Sequence, residues 1–261
     1  MNIIKSEFYK LKKSRLFYVC MLICAVIPAI MAIAIQLGVQ TRGAEGMSAI
    51  VEDISGATFL AETLGLALLP TVLAVFVSIF VSSEFHNGTM KNYVSKGFNR
   101  VQIYLSKLAV SGAAVLAIYV VHAAVSLALG TALWGFDPSG GAAVSAVAIY
   151  GAVTMLLGEG LLLLAYTSVF VLVSMWLRSN GASIAVSICA ASVLPTILMT
   201  IDFILEDVIS LSSFWISGNV SALASITPES GAVLQGLIVG FCYLTGGTVL
   251  GSLLFKKQDI K

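Results

Sequence analysis

Apolar residues run along this chain in long blocks separated by short polar interruptions. A helix needs about 20 apolar residues to cross a hydrocarbon layer. The pattern predicts an all-α membrane protein, one domain over residues 1–261, with six crossings at 16–37, 62–82, 107–134, 158–177, 182–201 and 231–255. The apolar stretch over 142–177 is too long for one straight crossing. Its first part, 142–157, is read as lying on or dipping into the outer surface, with the fourth crossing beginning after it. Pro70 and Pro195 fall inside crossings, where neighbouring helices can satisfy the freed carbonyls. Ahead of the first block, Ile4, Phe8 and Leu11 recur at helical spacing among Lys5, Lys10, Lys12, Lys13 and Arg15. That arrangement predicts an interfacial helix over 1–15, apolar side down and lysines toward anionic headgroups. Between the last two crossings, residues 202–230 mix Asp202, Glu206, Asp207 and Glu229 with Phe203, Leu205, Phe214 and Trp215. Short amphipathic helices at the outer boundary are expected there, with Trp215 as an interfacial anchor. Ala32-Ile33-Ala34 imitates a signal-cleavage site, but the apolar run before it is too long for a signal core, so the first crossing is read as retained.

Composition strengthens this picture. The chain is 59% hydrophobic and 10% charged, against about a quarter charged in soluble domains. A soluble enzyme, a nucleic-acid binder and a disordered scaffold are thereby excluded. The net charge of +1 hides an asymmetry: thirteen of the fourteen lysines and arginines fall on one side of the predicted topology, Arg42 being the exception. The positive-inside bias makes that side the cytoplasm and places both termini there. The opposite loops are acidic, with Glu45, Glu52, Asp53 and Asp137 adding to those named above. Cys20, Cys24, Cys189 and Cys242 all lie in apolar runs without metal-ligand spacing and read as small apolar fillers.

No phosphate-binding glycine loop, H-E-x-x-H or G-x-S-x-G is present, so no catalytic site, bound cofactor or metal is expected within the chain. Two ionisable residues fall inside crossings, where burial is costly and usually functional. Glu159 lies 19 residues before Arg178, about 28 Å along a helix, which places it near the outer boundary within reach of water. A structural role at the outer surface and a substrate or proton role, in the substrate path or an outer gate, are its two readings. His122 lies deeper; a neutral histidine hydrogen-bonded between helices and a proton relay are the two readings. Together they define the alternative function, an ion-coupled transporter or channel.

The stretch from Ser82 to Lys107 is the most informative. Glu84 sits at the membrane exit of the second crossing, Gly88-Thr89 gives a break with a potential capping hydroxyl, and a short helix over 90–94 stops near Gly97. Tethered at both ends to membrane helices, it offers a handle to a cytoplasmic partner. Glu84-x-x-x-Gly88-Thr89, followed by Lys91-Asn92-x-x-x-Lys96-Gly97-x-x-Arg100-x-x-Ile103-x-x-x-Lys107, resembles the E-x-x-x-G-T…S-R-x-x-I…K signature of ABC-2 type transporter permeases. In particular the chain is similar to six-helix permeases of bacterial antimicrobial-peptide (lantibiotic) immunity and export systems. Asn99 departs from the serine that often precedes the arginine.

The resemblance implies a membrane subunit paired with a second, identical or homologous, permease copy above two cytoplasmic ABC ATPase subunits that hold ATP and Mg. It implies a coupling helix over about 84–98, with Glu84, Phe85, His86, Gly88, Thr89, Met90, Tyr93 and Arg100 as coupling residues. A connecting helix would carry Lys5, Phe8, Lys12 and Arg15. The implied setting is the bacterial cytoplasmic membrane, and the implied cargo an amphipathic or hydrophobic compound such as an antimicrobial peptide, antibiotic or lipid-like molecule.

Overall fold

The computed structural model describes residues 3–46, 54–136, 146–205, 210–223 and 230–257. The acids Glu52, Asp53, Asp137, Glu206, Asp207 and Glu229, the start of the expected outer segment at 142–145 and the tail beyond Lys257 lie outside the described residues, as do the side chains of Arg42, Glu45 and His86. The described residues are helical throughout apart from connecting turns. They form α1 (Ile3–Lys13), α2 (Arg15–Gly46), α3 (Gly56–Gly65), α4 (Leu68–His86), α5 (Thr89–Ser95), α6 (Arg100–Trp134), α7 (Ala146–Leu177), α8 (Asn180–Ile188), α9 (Leu194–Ile204), α10 (Ile216–Leu223) and α11 (Ser230–Lys257). Six helical stretches among them are long and apolar enough to cross a membrane. The chain is a multi-pass membrane protein. The second, third and fourth crossings are at least half buried and form the centre; the first, fifth and sixth are less than a quarter buried and lie at the periphery.

Several boundaries differ from the sequence pattern for identifiable reasons. The second crossing begins at Leu68, not at Glu62, because residues 56–65 form the separate helix α3. Ser55 and Thr58 close a reciprocal capping box at its start, satisfying amide groups that would otherwise be orphaned. α3 then lies across the end of α6: the Gly56 N–H donates to Gly135 O at 2.6 Å, and the Phe59 and Trp134 rings meet at 5.4 Å. Pro70 consequently occupies the first turn of α4, where its missing N–H has no helical partner to lose. The expected break near Leu157 is absent, since α7 runs unbroken through 32 residues. α6 starts at Arg100, seven residues before the expected start of the third crossing, because the Asn99 side chain caps it by accepting from Val101 N–H at 3.1 Å.

The fifth crossing is made of α8 and α9 joined by a π-helical turn, Cys189–Val193. The wide turn accommodates Pro195 and brings Ser192 back to the face that carries Asn180 and Ser187. That face is stitched to α4 by Ser82–Asn180 at 2.6 Å, Ser78–Ser187 at 2.9 Å and Thr71–Ser192 at 2.7 Å. Such interhelical hydrogen bonds replace the hydrophobic drive that lipid cannot supply. At the end of α9, Asp202 accepts from the Leu211 and Ser212 N–H groups at 2.7 and 2.8 Å, turning the chain into α10. Trp215, expected as an interfacial anchor, meets Tyr243 of α11 edge to face at 5.3 Å. Gly236, Gly240, Gly247 and Gly251 of α11 serve packing within the chain, whereas Gly231 and Gly246 face open space. A Cβ on Gly247 would lie 2.5 Å from Ser168 Oγ, and one on Gly251 2.1 Å from the Tyr104 hydroxyl.

Candidate functional site

Apart from Arg42 near the end of α2, the described basic residues gather at one end of the bundle. α1 packs on the first turns of α6, Arg178 approaches the Phe85 ring at 6.0 Å, and Arg100 Nη1 donates to Lys256 O at 3.3 Å. Arg100 thereby complements the negative end of the α11 dipole. At this basic end α1 presents Ile3, Glu7 and Leu11, one per turn, to the bundle. Of the apolar residues expected on the lipid side, Leu11 docks on the bundle. Ile4 and Phe8 are exposed, as are Lys5 and Lys12, and Arg15 belongs to α2 because Ser14 separates the two helices.

Glu7 carries the acid of this docked face into a buried cluster built from four helices. Lys107 of α6, fully buried, pairs with Glu7 Oε2 and with Glu84 Oε1 of α4. Lys10 Nζ donates to Glu7 Oε1 at 3.0 Å, Glu84 Oε1 at 2.8 Å and the Tyr93 hydroxyl at 2.9 Å. Tyr93 of α5 in turn donates to Glu7 Oε1 at 2.7 Å. Lys10 stands 4.9 Å from the Tyr93 ring centroid, and Lys107 stands 5.0 Å from that of Phe80. Two positive and two negative charges thus neutralise each other where unpaired ions would be prohibitive. Burial works to raise the Glu7 carboxyl, but the Lys107 charge and hydrogen bond, helped by Tyr93 and Lys10, hold it below its ordinary value. Burial opposes the charge on Lys10 as well, yet Glu84, Tyr93 and Glu7 raise it above the usual lysine value. For Tyr93, burial is the largest influence and keeps the phenol protonated as a donor.

The helix expected over 84–98 is divided. Glu84, Phe85 and His86 form the last turn of α4, while α5 spans only Thr89–Ser95. Gly88 and Gly97 bracket α5 with φ of +67° and +77°, a left-handed conformation in which glycine is unstrained. Met90 and Tyr93 face the bundle and are buried, so they hold α5 in place; Asn92, Ser95 and Lys96 are exposed. The arrangement is a joint. A force on α5 passes through Tyr93 to α1, and through the shared charges to α4 and α6, without crossing a solvent gap.

His122 and Glu159 are not part of this joint, nor does the structure bring them together by any hydrogen bond between them. The His122 ring nitrogens approach Cys24 O at 2.7 Å and Thr63 O at 3.4 Å, tying α6 to α2 and α3. Glu159 is not at a wet boundary. It is only 3% exposed, because α7 continues past it and α10 packs over that part of the bundle. Glu7 and Lys107 were missed as site residues, and Lys10 was read only as part of a basic flank. A lone acid in register with Ile3 and Leu11 was the available signal for Glu7.

A family model described as ABC-2 family transporter protein matches residues 3–194, well over half of the chain and including every member of the charged cluster. No curated protein matches the chain.

Proposed function

This chain belongs to the ABC-2 transporter family, and from that premise we propose that it is the permease subunit of an ATP-driven exporter in the bacterial cytoplasmic membrane. Its basic end faces the cytoplasm, in keeping with the positive-inside bias. Two cytoplasmic ABC ATPase subunits, which hold the ATP and Mg, seat against the exposed side of α5, and a second permease copy completes the path. The chain itself carries out no catalysis. Its cargo is an amphipathic or hydrophobic compound such as an antimicrobial peptide, antibiotic or lipid-like molecule.

The observation that carries this reading is the neutral cluster of Glu7, Lys10, Glu84 and Lys107 with Tyr93. It fastens a short cytoplasmic helix to two membrane helices and to an interfacial helix, as a device for receiving mechanical work requires. The test is reconstitution with the ATPase. Tyr93→Phe removes the hydroxyl that joins α5 to α1 while preserving the ring. ATP hydrolysis should continue with transport lost or sharply reduced. Full transport by this variant, or transport driven by a proton gradient without ATP, would refute the reading; the second result would favour the ion-coupled alternative through His122 and Glu159.

A further inference from the structure

Apart from Glu159, the buried acids already described are each tied to a cation or to main-chain amides, as buried ionisable groups must be; Glu84 holds Lys10 and Lys107 through Oε1, although its Oε2 is buried without a partner. Both oxygens of Glu7 are bonded, and both oxygens of Asp202 accept main-chain N–H groups. Glu159 has neither: its Oε1 is buried without a hydrogen-bond partner, and among the described residues no lysine, arginine or histidine pairs with the carboxyl. Its surroundings are aromatic instead. The carboxyl interacts electrostatically with Tyr119 and Tyr166, and the Tyr166 hydroxyl is itself buried without a hydrogen-bond partner. The Tyr119 hydroxyl is fixed by donation to Leu156 O at 3.0 Å, with its ring lying against Gly160.

The position of α10 shows how such a group becomes accessible. Ile216, Val220 and Leu223 form its buried face. Leu223 is seated between two glycines: a Cβ on Gly158 of α7 would lie 2.8 Å from its Cδ1, and one on Gly236 of α11 2.9 Å. Gly158 immediately precedes Glu159. Side chains on a helix lean toward its N-terminus, which for α7 is the end away from the basic cluster, the end where α10 docks. We propose that Glu159 is the charge-recognition residue of a binding site for an organic cation, with α10 as the lid over it. An unpaired carboxyl near the phenols of Tyr119 and Tyr166 suits a cation of low hydration, such as a quaternary or lipophilic ammonium or phosphonium, whose charge meets the carboxyl and whose apolar surface meets the rings. The site's role in transport rests on the exporter reading; the binding does not.

Tetraphenylphosphonium and tetraphenylborate are a suitable probe pair, being nearly equal in size and apolar surface but opposite in charge. Binding of each to the full-length chain in nanodiscs, with and without its ATPase, is measured against empty nanodiscs. Glu159→Gln should weaken tetraphenylphosphonium binding about tenfold, as loss of a charge-assisted contact does, and leave tetraphenylborate unchanged. Glu159→Asp should retain a preference for the cation. Leu223→Ala, which loosens the lid without touching the charge, should quicken binding and keep that preference. Unchanged phosphonium affinity in Glu159→Gln, or equal loss of both ions, would overturn the site. A chain that couples to its ATPase but shows no charge discrimination loses only the site; one that discriminates but binds no ATPase loses only the exporter reading.

Discussion

Replacing Lys107 by methionine isolates the energetic weight of the charged joint. Methionine keeps the apolar stem that packs beside Phe80 and removes the ammonium. Lys107 is the partner of Glu7 Oε2, whereas Glu84 Oε1 and Glu7 Oε1 retain Lys10. The variant therefore strands Glu7 Oε2, in addition to the already unpartnered Glu84 Oε2, and leaves the cluster with an uncompensated negative charge. Breaking a buried pair by removing one member costs about 3–5 kcal/mol. For a chain of this size each kcal/mol lowers the thermal midpoint by about 2–4 °C, a fall on the order of 6–20 °C. Adding Glu7→Gln removes the stranded charge and leaves Lys10 and Glu84 as a neutral pair. The double variant should therefore recover on the order of 1–3 kcal/mol relative to the sum of the single losses. The assay is thermal unfolding in nanodiscs of wild type, both single variants and the double variant. A Lys107→Met midpoint indistinguishable from wild type, or strictly additive losses, would refute the claim that these charges act as one buried unit.

Two further outcomes follow from the same end of the molecule and from the last helix. Because the Glu7 carboxyl is held below its ordinary value of 4.5, its stabilising contribution is complete above that value and is lost as pH falls through the lowered native value. Lys10 is raised, so its contribution is complete below the ordinary lysine value of 10.5 and is lost only as pH rises through the raised one. The difference in unfolding midpoint between wild type and Glu7→Gln should therefore be flat across neutral pH and shrink at the acid end; a difference that grows on acidification would contradict this. In α11, Gly251→Ala would place a methyl 2.1 Å from the Tyr104 hydroxyl and should destabilise by about 1–3 kcal/mol through overpacking. Tyr104→Phe in that background should restore little, because the ring carbons Cζ and Cε2 still lie 2.3 and 2.7 Å from the new methyl and the 3.0 Å bond to Gly247 O is lost; the same thermal assay checks both.

The sequence by itself determined the helical class, the six crossings and the collection of basic residues at one end. These depend on the length of apolar runs and the spacing of charges, both of which are local and survive any particular packing. It also placed a short helix between Gly88 and Gly97, since those glycines mark where the chain must turn. Tertiary structure decided which charges meet. Glu7 and Lys107 are separated by a hundred residues, and no periodicity within either segment relates them. Lys107 looked like a loop cation because the Asn99 cap that carries α6 past it becomes decisive only when α1 covers the same turn. Glu159 looked wet because α10, from a distant part of the chain, is what excludes water from it. An apolar run fixes that a segment enters lipid; only the packing of one helix against another fixes whether a polar group within it is paired, stranded or covered.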